Sequence, residues 1–433
     1  MTKPRSLAKS ASRTSAPDPR LPDEELLEAV QRGTFRFFWE GAHPASFMAR
    51  DRSFRTRDPD DDKVTVGGTG FAVMAFLVAV ERGWVTRGAA LERLGAMLDV
   101  LEVATCYHGV YPHFMHGATG ATIPFWRKDD GADLVETSFL FQGLLCAKQY
   151  FGRDTAVERK LRGRINFLWH EVEWDWHTQG GQRQLTWHWS PNNGWSLGHA
   201  IRGWNECLIT YVLAASAPRY GISPDAYHDG YAIGRDFLNG RTYHGIELPL
   251  GPANGGPLFF AHYSFCGLDP HGLRDRYADY GEQNTRHVRI NYEHCVRNPL
   301  QHKGYGKSCW GLTASDDPEG YSAHAPDNDN GTISPTAALS SFPYAPKEAM
   351  RALRHFLKSG NKLWGRYGFI DAFNETRDWY ADTFLAIDQG PIIVMIENYR
   401  TGLLWNLFMS IPEIQAGLKK LSFTSPHFDA KTS

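Results

Sequence analysis

Three short segments carry carboxylates in surroundings where an idle charge would be costly. In Trp126-Arg127-Lys128-Asp129-Asp130-Gly131-Ala132-Asp133-Leu134-Val135-Glu136-Thr137, Asp133 and Glu136 stand three residues apart. A helix beginning near Asp130 puts both on one face. Phe139-Leu140-Phe141 follows, so this helix is largely buried, and a buried carboxylate must be paired or used. N-capping by Asp130 or Asp133 accounts for the position equally well. Glu206, in Gly203-Trp204-Asn205-Glu206-Cys207-Leu208-Ile209, opens another apolar helix after the tryptophan-rich loop 187–195. A carboxyl among tryptophans has a raised pKa, which a general acid at neutral pH requires. A structural Glu bonded to Asn205 or Arg202 is the plainer alternative. Asp388, in Ile387-Asp388-Gln389-Gly390-Pro391, reads as an acid on a wetter inter-helix loop. There it stays ionised as a base or caps the next helix. An acid and a base carboxylate are the usual equipment for cutting a glycosidic bond.

The aromatic content fits a sugar. The chain has 14 Trp, 18 Tyr and 25 Phe, and although a thick core takes many of them, tryptophans recur beside Asp, Asn and His. A pyranose offers an apolar C–H face and a rim of hydroxyls, which an aromatic platform with polar neighbours matches. Trp126, Trp187, Trp189, Trp195 and Trp310 are expected to include at least two platforms. His188 reads as a hydroxyl partner, and Asn205 and Gln389, each beside an acid, as substrate contacts.

Other chemistries find less support. Gly194-Trp195-Ser196-Leu197-Gly198 fits the GxSxG pattern, which has meaning only between a strand and a helix on a parallel sheet. Gly306-Lys307-Ser308 resembles the end of a P-loop, but Gln301 stands where its first glycine belongs. Asp327-Asn328-Asp329-Asn330-Gly331 places its glycine one position early for an EF-hand. No HExxH or CxxC occurs, so neither a metal nor a cofactor is expected. The six cysteines, mostly in apolar stretches, read as reduced and buried. A net charge of -2 without a basic stripe argues against nucleic acid. The longest apolar run, Phe71 to Val80, is too short to span a bilayer.

The elements that must position these groups are helices. Pro22-Asp23-Glu24-Glu25 reads as a helix start with acids at the positive end of the dipole. Thr69 to Arg82 is apolar on nearly all sides, so it reads as an inner helix. Helical periods recur at Leu91–Leu101, Leu134–Tyr150, Ala156–Val172, Glu206–Ala215, Ala226–Leu238 and Arg274–Asn298. They continue at Thr336–Ser341, Lys347–Ser359, Asp378–Ile387, Ile392–Met409 and Glu413–Leu421. Leu185–Trp189 and Leu258–Tyr263 read as minor strands. The long loops Glu173–Trp204, Gly240–Asp269 and Gly304–Pro335 are too aromatic for disorder, and long loops in a compact domain are usually functional. About a dozen helices with decorated loops predict an all-α fold, an (α/α)6 toroid around a cleft. Residues 1–20 read as a disordered leader, 21–425 as a single catalytic domain and 426–433 as a tail. Without an apolar h-region in the leader the expected compartment is cytoplasmic, or periplasmic if the true start lies upstream.

From about Thr34 to Leu421 the chain resembles the glucoamylase-like proteins of glycoside hydrolase family 144, the bacterial β-1,2-glucanases. The resemblance rests on Gly131-Ala132-Asp133-Leu134-Val135-Glu136-Thr137, Trp187-His188-Trp189-Ser190-Pro191, Gly203-Trp204-Asn205-Glu206 and Gly255-Gly256-Pro257-Leu258-Phe259-Phe260. Trp310-Gly311-Leu312-Thr313-Ala314-Ser315-Asp316 and Ala386-Ile387-Asp388-Gln389-Gly390-Pro391 extend it. It implies the toroid and hydrolysis of a β-1,2-glucan polysaccharide or oligosaccharide with inversion. It also implies functional acids at Asp129, Asp133, Glu136, Glu206 and Asp388. Related domains occur in glucan-cyclising enzymes, so transfer is the alternative to hydrolysis, and a non-catalytic glycan-binding protein is a further one.

Overall fold

A computed structural model describes residues 15–57, 59, 61–234 and 236–428. Residues 1–14 of the expected leader and 429–433 of the expected tail lie outside the described residues. Residues 15–20 are described, with Arg354 donating to the Pro19 carbonyl.

Twelve α-helices occur among the described residues: α1 (Asp23–Trp39), α2 (Val66–Glu81), α3 (Arg87–Leu101), α4 (Leu134–Tyr150), α5 (Ala156–His170) and α6 (Leu208–Ser216), then α7 (Tyr280–Arg297), α8 (Pro335–Leu339), α9 (Pro346–Lys358), α10 (Ala386–Thr401), α11 (Leu403–Met409) and α12 (Pro412–Lys420). The fold is helix-rich with minor strands. The strands are two to six residues long, and every ladder among the described residues is antiparallel. The parallel sheet that a Ser196 nucleophile needs is absent from them.

The helices fall into two kinds by burial. On α9 the buried residues Ala349, Ala352, Leu353, Phe356 and Leu357 form one stripe, as on a helix with one wet face. The same one-sided pattern holds on α3, where Leu94, Met97, Leu98 and Leu101 are buried. In contrast α2, α4, α6 and α8 are buried on all sides, as is most of α10. Pairs of these inner helices touch. α2 packs on α4, α4 on α6 and α8 on α10, and α10 returns to α2. Glycines let the first pair approach. A Cβ on Gly70 would meet the Phe139 carbonyl oxygen at 2.0 Å, and one on Gly143 would meet the Gly70 oxygen at 2.1 Å.

Several boundaries differ from expectation. Leu258–Ala261 is a 3-10 turn, not a strand. Ala226–Tyr231 is a single π-helical turn, and Leu238 opens a hairpin, Leu238–Tyr243 against Ile246–Leu250. The expected helix over Asp378–Ile387 is two short strands, Trp379–Tyr380 and Thr383–Leu385. Aromatic and β-branched residues there favour extended backbone over helix. α10 starts at Ala386, earlier than expected, and carries Pro391 inside it; it ends at Gly402 with φ 72°, where one continuous helix was expected. Five cysteines are buried and unpaired, but Cys106 is exposed. No helix among the described residues is long and apolar enough to cross a membrane.

Candidate active site

The N-terminus of α4 organises the first group of acids. Asp133 is its N-cap: Oδ1 accepts the amides of Val135 at 3.0 Å and Glu136 at 2.9 Å. The same oxygen accepts the Trp187 indole N–H at 2.9 Å. A two-residue ladder pairs Ala132 with Trp189 and Asp133 with His188, so the tryptophan loop is laid directly against the acids. His113 Nδ1 lies 3.1 Å from Asp133 Oδ2, and His188 Nε2 lies 3.4 Å from Asp129 Oδ2. Asp133 is therefore a helix cap that also meets Trp187 and His113.

Electrostatics separates these carboxyls. Burial alone would raise the Asp133 pKa, but the His113 hydrogen bond, the His188 and His113 charges and the Glu136 amide hold it below the ordinary range. Burial and the Asp133 charge push Asp129 up to about 6. Glu136 is raised chiefly by burial, although Oε2 accepts the Gly67 amide at 2.7 Å. A Cβ on Gly67 would lie 2.6 Å from that oxygen, so only glycine admits the carboxylate to the start of α2. Burial pulls His113 down, yet Glu136, Asp133 and Asp129 outweigh it and lift the imidazole to about 9.

Glu206 lies in the turn before α6, not in the helix. Ser264 clamps that turn: its hydroxyl donates to the Glu206 carbonyl and accepts the Ile209 amide at 3.0 Å. Asn205 Oδ1 accepts the Cys207 amide at 3.0 Å, so Asn205 shapes the turn. Burial raises the Glu206 carboxyl to about 7, with the Asp133 and Glu136 charges adding to it and its own amide opposing. The neighbouring Trp204 points elsewhere, into a core with Phe237, Phe265 and Tyr280.

Glu206 and Glu136 line one cavity of about 400 Å³. Each long loop contributes to it: Trp187 from the first, Phe259 and Tyr263 from the second, Ala314 and Tyr321 from the third. The residues before α2 add Asp51, Arg52 and Thr65. Arg52 sits 3.5 Å from both Asp51 Oδ2 and Asp316 Oδ2, which balances charge at that wall.

Of the five tryptophans, Trp187 alone lines this cavity. Trp310 is 0% exposed and donates to the Glu348 carbonyl; it is a core residue, because its apolar body is covered and its N–H is satisfied. Trp189 and Trp195 pack against Trp176. Trp126 is exposed at 59%, in a tight turn closed on Asp129. The aromatic lining is instead largely phenylalanine and tyrosine, including Phe114, Phe125 and Phe139. Phe114 follows His113 and Phe139 follows Ser138, but the core residue Phe35 is likewise flanked by Thr34 and Arg36, so polar neighbours do not single out the phenylalanines of the cavity.

Asp388 is not on a wet loop. It stands in the first turn of α10, 2% exposed, while its neighbour Ile387 reaches the cavity. Neither carboxyl oxygen has a hydrogen-bond partner. Burial and the adjoining Asp371 push its pKa well above the ordinary range. Gln389 is buried too, donating to the Phe369 carbonyl at 2.9 Å, so it supports the wall and does not line it.

One arrangement was unforeseen. Ligand atoms of His113, Asp129 and Asp133 lie within 4.8 Å of one another, close enough to hold a cation. Asp133 Oδ1 is already taken by three N–H donors, and a protonated His113 supplies a positive charge inside the group.

Comparison with known proteins follows the same outline. The glucoamylase family model named Glycoamylase matches residues 198–412. The chain is 50% identical to the endo-β-1,2-glucanase of Chitinophaga pinensis, solved with sophorotriose and glucose, over 94% of this chain and 100% of that one at TM-score 0.91. It is 46% identical over 421 residues to the exo β-1,2-glucooligosaccharide sophorohydrolase (non-reducing end) of Parabacteroides distasonis, covering 92% of this chain. The chain spans 58% of the length of that relative. An endo-β-1,2-glucanase from Talaromyces funiculosus, 12% identical, shares the fold at TM-score 0.60, over 93% of this chain and 92% of that one.

Proposed function

The chain belongs to the glucoamylase-like proteins of glycoside hydrolase family 144, and on that premise we propose that it hydrolyses β-1,2-linked glucan with inversion. The observation that carries this reading is Glu206. It is a carboxyl held at about 7 in an aromatic cavity, as a proton donor at neutral pH must be. Both of the relatives above at 46% identity or more bear names of β-1,2-glucan hydrolases.

In this reading a sugar packs against Trp187 and the phenylalanine wall, with Glu136 accepting from its hydroxyls. Glu206 gives its proton to the glycosidic oxygen as the bond to the anomeric carbon breaks. A water attacks that carbon from the opposite face and passes its proton to Asp388; the burial that raises Asp388 leaves little of its ionised form at neutral pH but makes that form a strong base. Inversion requires room for that water, with the two carboxyls roughly 6.5–9.5 Å apart. Asp133, kept ionised, orients Trp187 and His113 and does not transfer a proton.

We further infer that the helices form an (α/α)6 toroid within a single catalytic domain. Two facts support it: among the helices buried on all sides α2 meets α4, α4 meets α6, α8 meets α10 and α10 returns to α2, while α3 and α9, each with one apolar stripe, pack against α2 and α8. Incubation with linear β-1,2-glucan tests the function. Released oligosaccharides whose new reducing ends are first α by NMR support it; sophorose alone indicates exo action and a ladder of lengths endo action. Cyclic or longer products, or binding without products, contradict it.

A further inference from the structure

Three side chains at the edge of the cavity meet in the geometry of a cation site. Ligand atoms of His113, Asp129 and Asp133 lie within 4.8 Å of one another. Among the described residues no other three His, Cys, Asp or Glu side chains gather so closely. His113 Nδ1 is 3.1 Å from Asp133 Oδ2. Zinc bonds imidazole and carboxylate at about 2.0–2.2 Å, so its tetrahedral ligands stand about 3.3–3.6 Å apart. One pair nearly has this spacing already, and a turn of the Asp129 carboxyl closes the third side.

The fold sets up these ligands. Asp133 cannot rotate, because Oδ1 is held by the amides of Val135 and Glu136 and by the Trp187 indole. That leaves Oδ2 facing His113. Outer partners fix the direction of a metal ligand in just this way. Asp129 is freer. It is 7% exposed and its Oδ1 has no hydrogen-bond partner, a costly state for a buried carboxylate without a use. Its Oδ2 lies 3.4 Å from His188 Nε2, which is 3.6 Å from Asp133 Oδ2. Both distances are long for hydrogen bonds, so His188 flanks the two carboxyls without satisfying them. Glu136, in the first turn of the same helix, adds a third acid to the neighbourhood. The group is thus rich in negative charge and short of donors.

We propose that His113, Asp129 and Asp133 form an inhibitory site for a first-row divalent cation such as zinc. Imidazole beside carboxylates suits such ions better than calcium or magnesium, which take oxygen ligands. As the cation binds, the proton between His113 and Asp133 leaves to solvent. That proton supplies the positive charge in the metal-free chain, so catalysis needs no cation. Three protein ligands leave a position for water. His113 lines the cavity together with Glu206, Glu136 and Trp187. The cavity is therefore the way in for the ion, and its bound water stands where a sugar would pack. The cation site rests on geometry alone; the inhibition rests on the cavity being the glucan site.

Calorimetric titration of zinc chloride into the intact, chelator-treated chain tests the site. The tightest binding should be weakened about 10²-fold by Asp129→Asn and by His113→Asn, at least the cost of losing an outer partner. Asp129→Asn keeps the shape of the side chain and removes the charged ligand. It should fold like the parent, and it decides the matter if His113→Asn does not fold. Cobalt(II) should give the intact chain the visible absorption of a tetrahedral nitrogen–oxygen site, and the variants should lose it. Zinc should lower turnover of β-1,2-glucooligosaccharides in step with its binding, and EDTA should restore it. The proposal is overturned by an absence of binding, by binding and a cobalt spectrum that Asp129→Asn keeps, or by full turnover with the site filled. The titration and the spectrum are read without substrate. A metal-free chain that fails to cut β-1,2-glucan therefore counts against the proposed function and not against the cation site.

Discussion

Trp187 donates its indole N–H to Asp133 Oδ1 at 2.9 Å, so this wall of the cavity is hung from the same oxygen that caps α4. Trp187→Phe keeps the ring and removes the donor. A hydrogen bond to a charged group contributes about 1.5–3 kcal/mol, and part of that should be seen as a lower melting temperature. KM should rise as the ring loses its fixed pose. Unchanged melting and KM would show that the contact orders nothing.

Asp133→Ala should be more damaging. It removes a helix cap, about 0.5–2 kcal/mol, and leaves the Trp187 N–H and His113 without their acceptor. Circular dichroism on melting should show a clear loss of stability along with loss of activity. A variant that melts like the parent would contradict the hub role.

Stability should fall with rising pH through the His113 ion pair. Its folded pKa of about 9 exceeds the ordinary 6.5, so its contribution is complete below pH 6.5 and lost as pH rises through about 9. The difference in melting temperature between the parent and His113→Asn should therefore shrink between those values. A difference that is flat across that window would show that His113 is not held protonated.

Chelation should leave activity intact. The triad His113, Asp129 and Asp133 has the spacing to hold a cation, but its charges are met from within. Dialysis against EDTA followed by assay checks this. A large loss restored by a divalent metal would assign the triad a metal instead.

Phe125→Ala should raise KM with little change in melting. The ring is 56% exposed yet lines the cavity, so it has little packing to lose and a sugar face to gain. The cost should be about 0.5–1.5 kcal/mol in binding, the scale of an aromatic contact.

What was legible in the sequence was local. α4 spans the residues its period predicted, and Asp133 sits where a cap belongs, because helical period and capping act over a few residues. Trp310 misled because a tryptophan beside glycine looks the same whether its N–H meets a sugar or a buried carbonyl; only the covering helix decides. Asp388 misled because Pro391 reads as a boundary, whereas the helix tolerates it and simply forgoes one N–H donor. Asp371, Arg52 and Tyr321 were invisible for a different reason. Their meaning lies in distant segments meeting at the start of α10, and no local pattern records that.

The central claim is that Glu206 donates the proton that breaks the glycosidic bond, and Glu206→Gln tests it most directly. The amide keeps the shape of the side chain, so the protein should fold normally and still bind β-1,2-glucan. Turnover should fall by about 10²-fold or more, the usual scale for losing acid catalysis. Near-normal turnover of β-1,2-glucan by the folded Gln variant would contradict the account and move the acid to Glu136.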